Sequence, residues 1–107
     1  MFDDWPDEFQ PSMRRRVDPP TPVWVDLAAA IPTQQASFGR NQLPLRVKAG
    51  GLKLSDSVPG ELHAWARADN GAWIALVAFE MLTGNQRGRV PTIQWCPASA
   101  VTTRPEQ

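Results

Sequence analysis

The sequence has very few of the residues on which small secreted and metal-binding domains depend. It contains one cysteine and one histidine in 107 residues. A single cysteine excludes a disulfide scaffold, and the two residues together are too few for a zinc site built from several His and Cys ligands. No glycine-rich loop has the spacing of a phosphate-binding motif. We therefore expect neither a bound metal nor a cofactor.

The chain also lacks an excess of charge of either sign. Lys plus Arg and Asp plus Glu both number 11, so the net charge is zero, and a general electrostatic attraction to nucleic acid or to a membrane surface is not expected. No apolar run approaches the roughly 18 residues of a membrane span, and the first residues do not resemble a secretory signal. With one unpaired cysteine, these features indicate a cytoplasmic protein, and the abundance of Ala and Arg is typical of GC-rich bacterial genomes.

The residues available for catalysis are few and scattered. Cys96 is the only thiol and His63 the only imidazole, and the sequence places no activating group beside the cysteine. Asp56 and Asp69 stand at predicted turns, where Asp commonly bonds to the backbone. We therefore expect no catalytic residues, and a protein that is not an enzyme.

Prolines and turn signals divide the chain into three parts. Residues 1–22 hold five of the eleven prolines and are predicted to form a disordered or polyproline II tail. Residues 23–42 are predicted to form a lead-in helix and a loop. Asp26 can cap a helix from Leu27 to Ile31 that Pro32 ends, although Val23–Val25 also reads as a strand. Residues 43–107 are predicted to form a small β-barrel.

The barrel prediction rests on alternating apolar residues. Leu43, Leu45 and Val47 predict a half-buried strand over 43–49. Asn70-Gly71 lies between two apolar runs and predicts a hairpin over 61–82 with a two-residue type I′ turn. In that register Asp69 faces Ala72. The core face then carries Leu62, Ala64, Ala66, Ala68, Trp73, Ala75, Val77 and Phe79.

The remaining segments complete a mainly β fold. Arg89–Trp95 is a predicted strand with Ile93 and Trp95 on one side, residues 96–100 a 3₁₀ turn, and residues 101–103 a last short strand. The predicted fold is therefore a small five-stranded barrel with a disordered N-terminal tail and a short lead-in helix.

This order of elements over residues 43–104 resembles a Src-homology-3-like small barrel. The run from Gly60 to Val77, with Asn70-Gly71 and Trp73, is similar to the first hairpin of Tudor-type members. Gln94-Trp95-Cys96-Pro97 resembles their final strand and proline turn, and the whole is similar to short uncharacterised actinobacterial proteins. Because the shared motifs are structural, the resemblance implies the fold more than a function. Because the chain has no tyrosine, the Tyr-rich groove of proline-peptide-binding Src-homology-3 domains is not expected.

The first functional hypothesis is a protein-binding adaptor or regulatory module. In the predicted register Trp65 lies on the partly exposed face of the hairpin. Two interpretations remain open: the chain itself buries Trp65, with Trp24 as one residue that covers it, or a partner binds there. The predicted binding patch comprises Trp65, His63, Arg67 and Leu76. A second contact consists of aromatic residues among the acids of the tail, namely Phe2, Trp5 and Phe9.

The alternative hypothesis is a nucleic-acid-binding barrel. The stretch 40–53 contains no acid, and its cations could share one side with those of the 83–89 region. The candidate contacts are Arg46, Lys48, Lys53, Arg87 and Arg89, with Trp65 as a stacking residue. Another protein is the expected partner, nucleic acid the alternative, and the oligomeric state is open between a monomer and a weak dimer.

Overall fold

The structure, a computed structural model, describes residues 1–34 and 43–105, which form one curled antiparallel sheet with short helices beside it. The strands of these residues lie in the order β4-β3-β2-β1-β5. This mainly β half-barrel confirms the predicted fold class. The elements in chain order are β1 (Arg14–Asp26), α1 (Leu27–Ala30), α2 (Leu45–Gly50), β2 (Ser57–Arg67), β3 (Trp73–Leu82), β4 (Arg89–Pro97), a 3₁₀ turn (Ala98–Ala100) and β5 (Val101–Thr103).

The first strand corrects the prediction of a disordered tail through residue 22. β1 begins at Arg14 and pairs antiparallel with β2, so residues 14–22 belong to the sheet. Pro19 and Pro20 are tolerated because they lie between Arg16 and Thr21, where the pairing is irregular. Their missing N–H groups therefore interrupt no regular ladder.

The predicted strand over residues 43–49 is wrong, because Leu45–Gly50 forms helix α2. Pro44 takes an extended conformation at the N-cap, and Leu, Arg, Lys and Ala are all good helix formers. The helix has no buried residue, so its alternating apolar residues do not pack on the core. The predicted loop over residues 33–42 lies largely outside the described residues, as positions 35–42 are not part of them.

The hairpin exists, but its turn has three residues rather than two. The Ala68 N–H donates to the Ala72 carbonyl at 2.8 Å, and the Gly71 N–H donates to the Ala68 carbonyl at 3.0 Å. Gly71 has a φ of +90°. These features match a type I turn followed by a glycine in the left-handed region, not a type I′ turn. Arg67 therefore pairs with Trp73, one position away from the predicted register.

A second shift of register occurs at His63, between Leu62 and Ala64. Leu62 pairs with Val77 on one side of this bulge, and Trp65 pairs with Ala75 on the other. A bulge of one residue reverses which side chains face the core. Trp65 therefore lies on the core face of the sheet, whereas the prediction placed it on the opposite face with Leu76.

The core face is closed at one end by α1 and the 3₁₀ turn. The Asp26 side chain accepts a hydrogen bond from the Ala28 N–H at 3.2 Å, which confirms the predicted helix cap. Gln94 Nε2 donates to the Ala30 carbonyl at 3.4 Å and ties α1 to β4. The fully buried core side chains include Leu27, Val25, Val77 and Cys96. The predicted 3₁₀ turn and closing strand are confirmed.

The opposite side of the sheet is called the outer face below. Directly paired residues share a face, so the register places Trp95 of β4, Leu76 of β3 and Ala64 of β2 in one row. Arg14 and Arg16 of β1 pair with Ala66 and Ala64 and continue this face. Ala64 and Ala66 are buried there, although they do not belong to the main core cluster.

Candidate functional site

A cleft lies on the core face near the hairpin end of the sheet, and two tryptophans form its walls. It has a volume of about 370 Å³ and is lined by Arg15, Trp65, Trp73 and Ala98. These four residues define the tryptophan cleft. Its lining is mainly apolar with one cation, which is the pattern of sites that bury an apolar group and orient it with few polar contacts.

The register of three strands and a turn assembles this cleft. Arg15 of β1 lies opposite Trp65 of β2, and Ala98 begins the 3₁₀ turn after β4. Trp65 packs against the core from one side and is only half-buried. The cleft therefore lies at the margin of the hydrophobic core, next to the hairpin turn.

The guanidinium of Arg67 is a second positive charge beside the cleft. Its Nε donates to the Gly71 carbonyl at 3.1 Å, and its Cζ lies 5.3 Å from the centre of the Trp73 ring. The first contact fixes the side chain to the turn, and the second is within the range of a cation–π interaction. Neither Arg15 nor Arg67 forms an ion pair with any other described residue. Both guanidinium groups thus remain available to an anion.

The structure divides the predicted protein-binding patch between two faces. Trp65 and Arg67 share the core face, as the bulge requires, but Leu76 lies on the outer face. His63 is the residue at the bulge, and its Nε2 lies 4.0 Å from a carboxylate oxygen of Glu61. Trp24, the predicted cover of Trp65, is 40% exposed and lies beneath the guanidinium of Arg104 instead.

Two of the cleft residues were missed by the sequence analysis. The prediction places Trp73 on the core face, where the structure also has it, but treats that face as closed and not as the wall of a cleft. Arg15 is predicted in a disordered tail because of the prolines that follow it. The three-arginine run is the sequence signal for Arg15, and on its own it carries little information.

The three predicted aromatic contacts of the tail differ in their surroundings. Phe2 lies against Trp95 with 6.5 Å between ring centres, and Trp5 meets Phe2 edge-on at 5.5 Å. Phe9 is 60% exposed and lines a separate shallow depression with Arg67 and other residues. The first two residues therefore dock on the outer face of their own chain.

The predicted nucleic-acid contacts gather around the loop between β3 and β4. Arg46 and Lys48 lie on α2, which is joined to this loop through a hydrogen bond from the Asn85 N–H to the Ala49 carbonyl at 2.9 Å. Lys53 pairs with Asp56 at 3.2 Å, and Arg89 with Glu80 at 3.6 Å. Arg87 belongs to the loop itself, and Trp65 is remote from this group in the sheet.

Cys96 is buried in the core beneath the cleft. Burial raises the pKa of its thiol above the usual value, and a weak contact with the Gln94 side chain opposes part of that rise. The sulfur is therefore a protonated, packed group at neutral pH. Across residues 1–34 and 43–105, no cluster of three or more His, Cys, Asp or Glu side chains is arranged to hold a metal ion.

Comparison of the chain with protein families, curated proteins and solved structures finds no significant match. Among residues 1–34 and 43–105, no helix has the length and apolar character that a membrane span requires.

Proposed function

We propose that this protein is a non-enzymatic protein-binding module and that the tryptophan cleft is its binding site. The observation that carries the proposal is the pairing of two half-buried tryptophans with two arginines that have no ion-pair partner among the described residues. Tryptophan and arginine are the residues that most often dominate binding energy at protein interfaces.

The chemistry of the cleft indicates which partner it fits. Trp65, Trp73 and Ala98 offer an apolar floor and walls, while Arg15 and Arg67 add positive charge at the margin. No acidic side chain is among the described residues that line the cleft. We infer that the ligand is a peptide segment that inserts an apolar side chain and places a carboxylate beside the arginines.

A selection from a random peptide library tests this proposal. The full chain is used as bait, and the affinity of each selected peptide is measured by fluorescence anisotropy. Arg15→Ala should weaken binding about tenfold, because a hydrogen bond to a charged group is lost. Arg15 is exposed, so this substitution should leave the fold intact.

Arg87→Ala is the matched control, because Arg87 is an exposed arginine in the loop between β3 and β4 and does not line the tryptophan cleft. It should bind the selected peptides as the wild type does. Peptides that bind Arg15→Ala and the wild type equally would contradict the assignment of the cleft. A selection that enriches no peptide over a Trp65→Ala bait would contradict it as well.

A nucleic-acid-binding role is the second candidate, and one observation favours it. The hydrogen bonds between α2 and the β3–β4 loop bring Arg46, Lys48 and Arg87 to one end of the molecule. An oligonucleotide titration at about 50 mM and about 200 mM salt tests it, since phosphate contacts lose affinity steeply with salt. Charge reversal at Arg46 and Lys48 should abolish any binding seen at the lower salt.

We also propose a fold relationship, an origin and a location for this protein. The strand order, in which β5 returns to the side of β1, supports a relationship to Src-homology-3-like and Tudor-type barrels. A bacterial origin and a cytoplasmic location rest on the composition and the single cysteine. A monomer or weak dimer stays the expected state.

A further inference from the structure

The outer face has a strip of small side chains along β2, called the trough below. Ala64 and Ala66 form its bottom, Arg14 of β1 lies on one side, and Leu76 of β3 followed by Trp95 of β4 lies on the other. The two alanines have the smallest side chains on this face, so an aromatic ring fits above them. This trough is separate from the tryptophan cleft, which lies on the core face.

Residues 1–13 are called the N-terminal segment here, and its first two aromatic residues, Phe2 and Trp5, lie over the trough. The Phe2 ring lies 6.5 Å from the Trp95 ring, and the Arg14 guanidinium lies 5.3 Å from the centre of Phe2. Arg14 Nε also donates to the Trp5 carbonyl at 2.9 Å. One aromatic ring is thus held between a tryptophan and an arginine, and the following residues are tied down by the same arginine.

Charge complements this apolar contact. The N-terminal segment contains four acids and no Lys or Arg, whereas Arg14 and Arg16 lie on the outer face. None of the ion pairs among the described residues joins a segment acid to either arginine. Asp3 approaches only the chain's own amino group at 3.9 Å, and Asp7 accepts from Ser12. The carboxylates of the N-terminal segment therefore form no ion pair with Arg14 or Arg16.

The segment also leaves apolar surface uncovered. Trp95 is 39% exposed and Ile93 is 59% exposed beside it, even though Phe2 lies against the tryptophan. Phe9, the last aromatic residue of the segment, is 60% exposed. A segment that covers more of this surface and reaches Arg16 would gain contacts that the attached one does not make.

We propose that the outer face is a second docking site, which takes an acidic–aromatic segment of a partner protein. The chain's own N-terminal segment is its resident occupant and competes with that partner. Its sequence defines the chemistry of the ligand, in which an aromatic side chain fills the trough and neighbouring carboxylates face Arg14 and Arg16. Tethering raises the local concentration of the resident segment to about the millimolar range, so a partner must displace it.

A labelled peptide with the sequence of residues 1–13 tests the proposal, with binding to the full chain followed by anisotropy. The double variant Phe2→Ala with Trp5→Ala removes the competing aromatic groups and should bind the peptide at least about tenfold more tightly than the wild type. Phe9→Ala is the matched control, because Phe9 does not contact the trough, and it should behave as the wild type does. Adding Trp95→Ala to the double variant should abolish binding, whereas adding Trp24→Ala should not.

Two results would overturn the proposal. One is equal affinity of the wild type and the double variant for the peptide. The other is binding that survives Trp95→Ala in the background of the double variant. Sedimentation of the unlabelled wild type decides between a partner and a second copy. A monomer supports the partner, and a dimer that the double variant cannot form would reassign the face to the segment of a second chain.

A measurement on the wild type covers the case in which the double variant does not fold. Excess unlabelled peptide should move the Phe2 resonances of the chain towards those of a free chain, because the peptide replaces the chain's own segment against Trp95. Peptide binding that leaves the Phe2 resonances unchanged would rule out displacement of the resident segment.

Discussion

Arg15 in β1 lies directly opposite Trp65 in β2. This pairing places the Arg15 guanidinium beside the Trp65 ring on the core face. Arg15 forms no ion pair with any acid among the described residues. The three-residue turn aligns Trp65 with Ala75 on the core face, and the bulge at His63 lets Leu62 face the core as well. The turn and the bulge of one hairpin therefore produce the candidate site.

Trp65 is expected to contribute to stability as well as to binding, since its ring packs against the core cluster. Replacement by Ala should lower the free energy of unfolding by about 2 kcal/mol, less than for a fully buried tryptophan. Urea unfolding followed by circular dichroism measures this change. Trp24→Ala, at a 40% exposed position, should cost less than about 1 kcal/mol. Equal effects of the two substitutions would contradict the placement of Trp65.

The turn at Gly71 requires glycine, because its φ is +90°. Gly71→Ala should lower the free energy of unfolding by about 1 kcal/mol, the strain of an alanine in that region. Gly50, the last residue of α2, is the matched control, because a Cβ added there would meet no other atom within 4 Å. Gly50→Ala should be neutral or slightly stabilising. A Gly71→Ala variant as stable as the wild type would argue for a different turn.

The buried thiol of Cys96 should make stability depend on alkaline pH. Burial raises its pKa in the folded state, so the folded protein holds this proton more tightly than the unfolded chain. The contribution to stability is complete below the unfolded value of about 8.5 and is lost as the pH rises through the higher folded value. The difference in unfolding free energy between wild type and Cys96→Ala should therefore shrink above about pH 8.5.

Thiol labelling gives an independent check of the same residue. A small alkylating reagent at neutral pH should modify Cys96 slowly in the folded protein and rapidly in urea, because the side chain is 1% exposed. Rapid labelling of the folded protein would show that the core is open at this position.

Local signals in the sequence were sufficient for much of the fold. Asp26 as a cap, Asn70-Gly71 between apolar runs and Pro97 before the 3₁₀ turn each mark a boundary that the structure contains. Such signals depend on a few neighbouring residues, whose conformational preferences operate locally. The type and order of most elements from Asp26 onward follow from them.

The candidate site depended on register, which the local signals did not determine. One extra turn residue at Asp69 and one bulge at His63 each moved the pairing by one position. Together they exchanged the faces of Trp65 and Ala64. β1 was missed for a related reason, because Pro19 and Pro20 suggest disorder unless the interruption of the pairing with β2 at that point is known. Long-range pairing, rather than local preference, decided these features.

The resonances of the indole N–H groups test the central claim most directly. The chain has five tryptophans, so each gives one signal that reports its own surroundings. A peptide selected on the full chain should shift the signals of Trp65 and Trp73 and leave that of Trp24 in place. Shifts confined to Trp5 and Trp95, or the same shifts in Arg15→Ala at equal peptide concentration, would contradict binding in the tryptophan cleft.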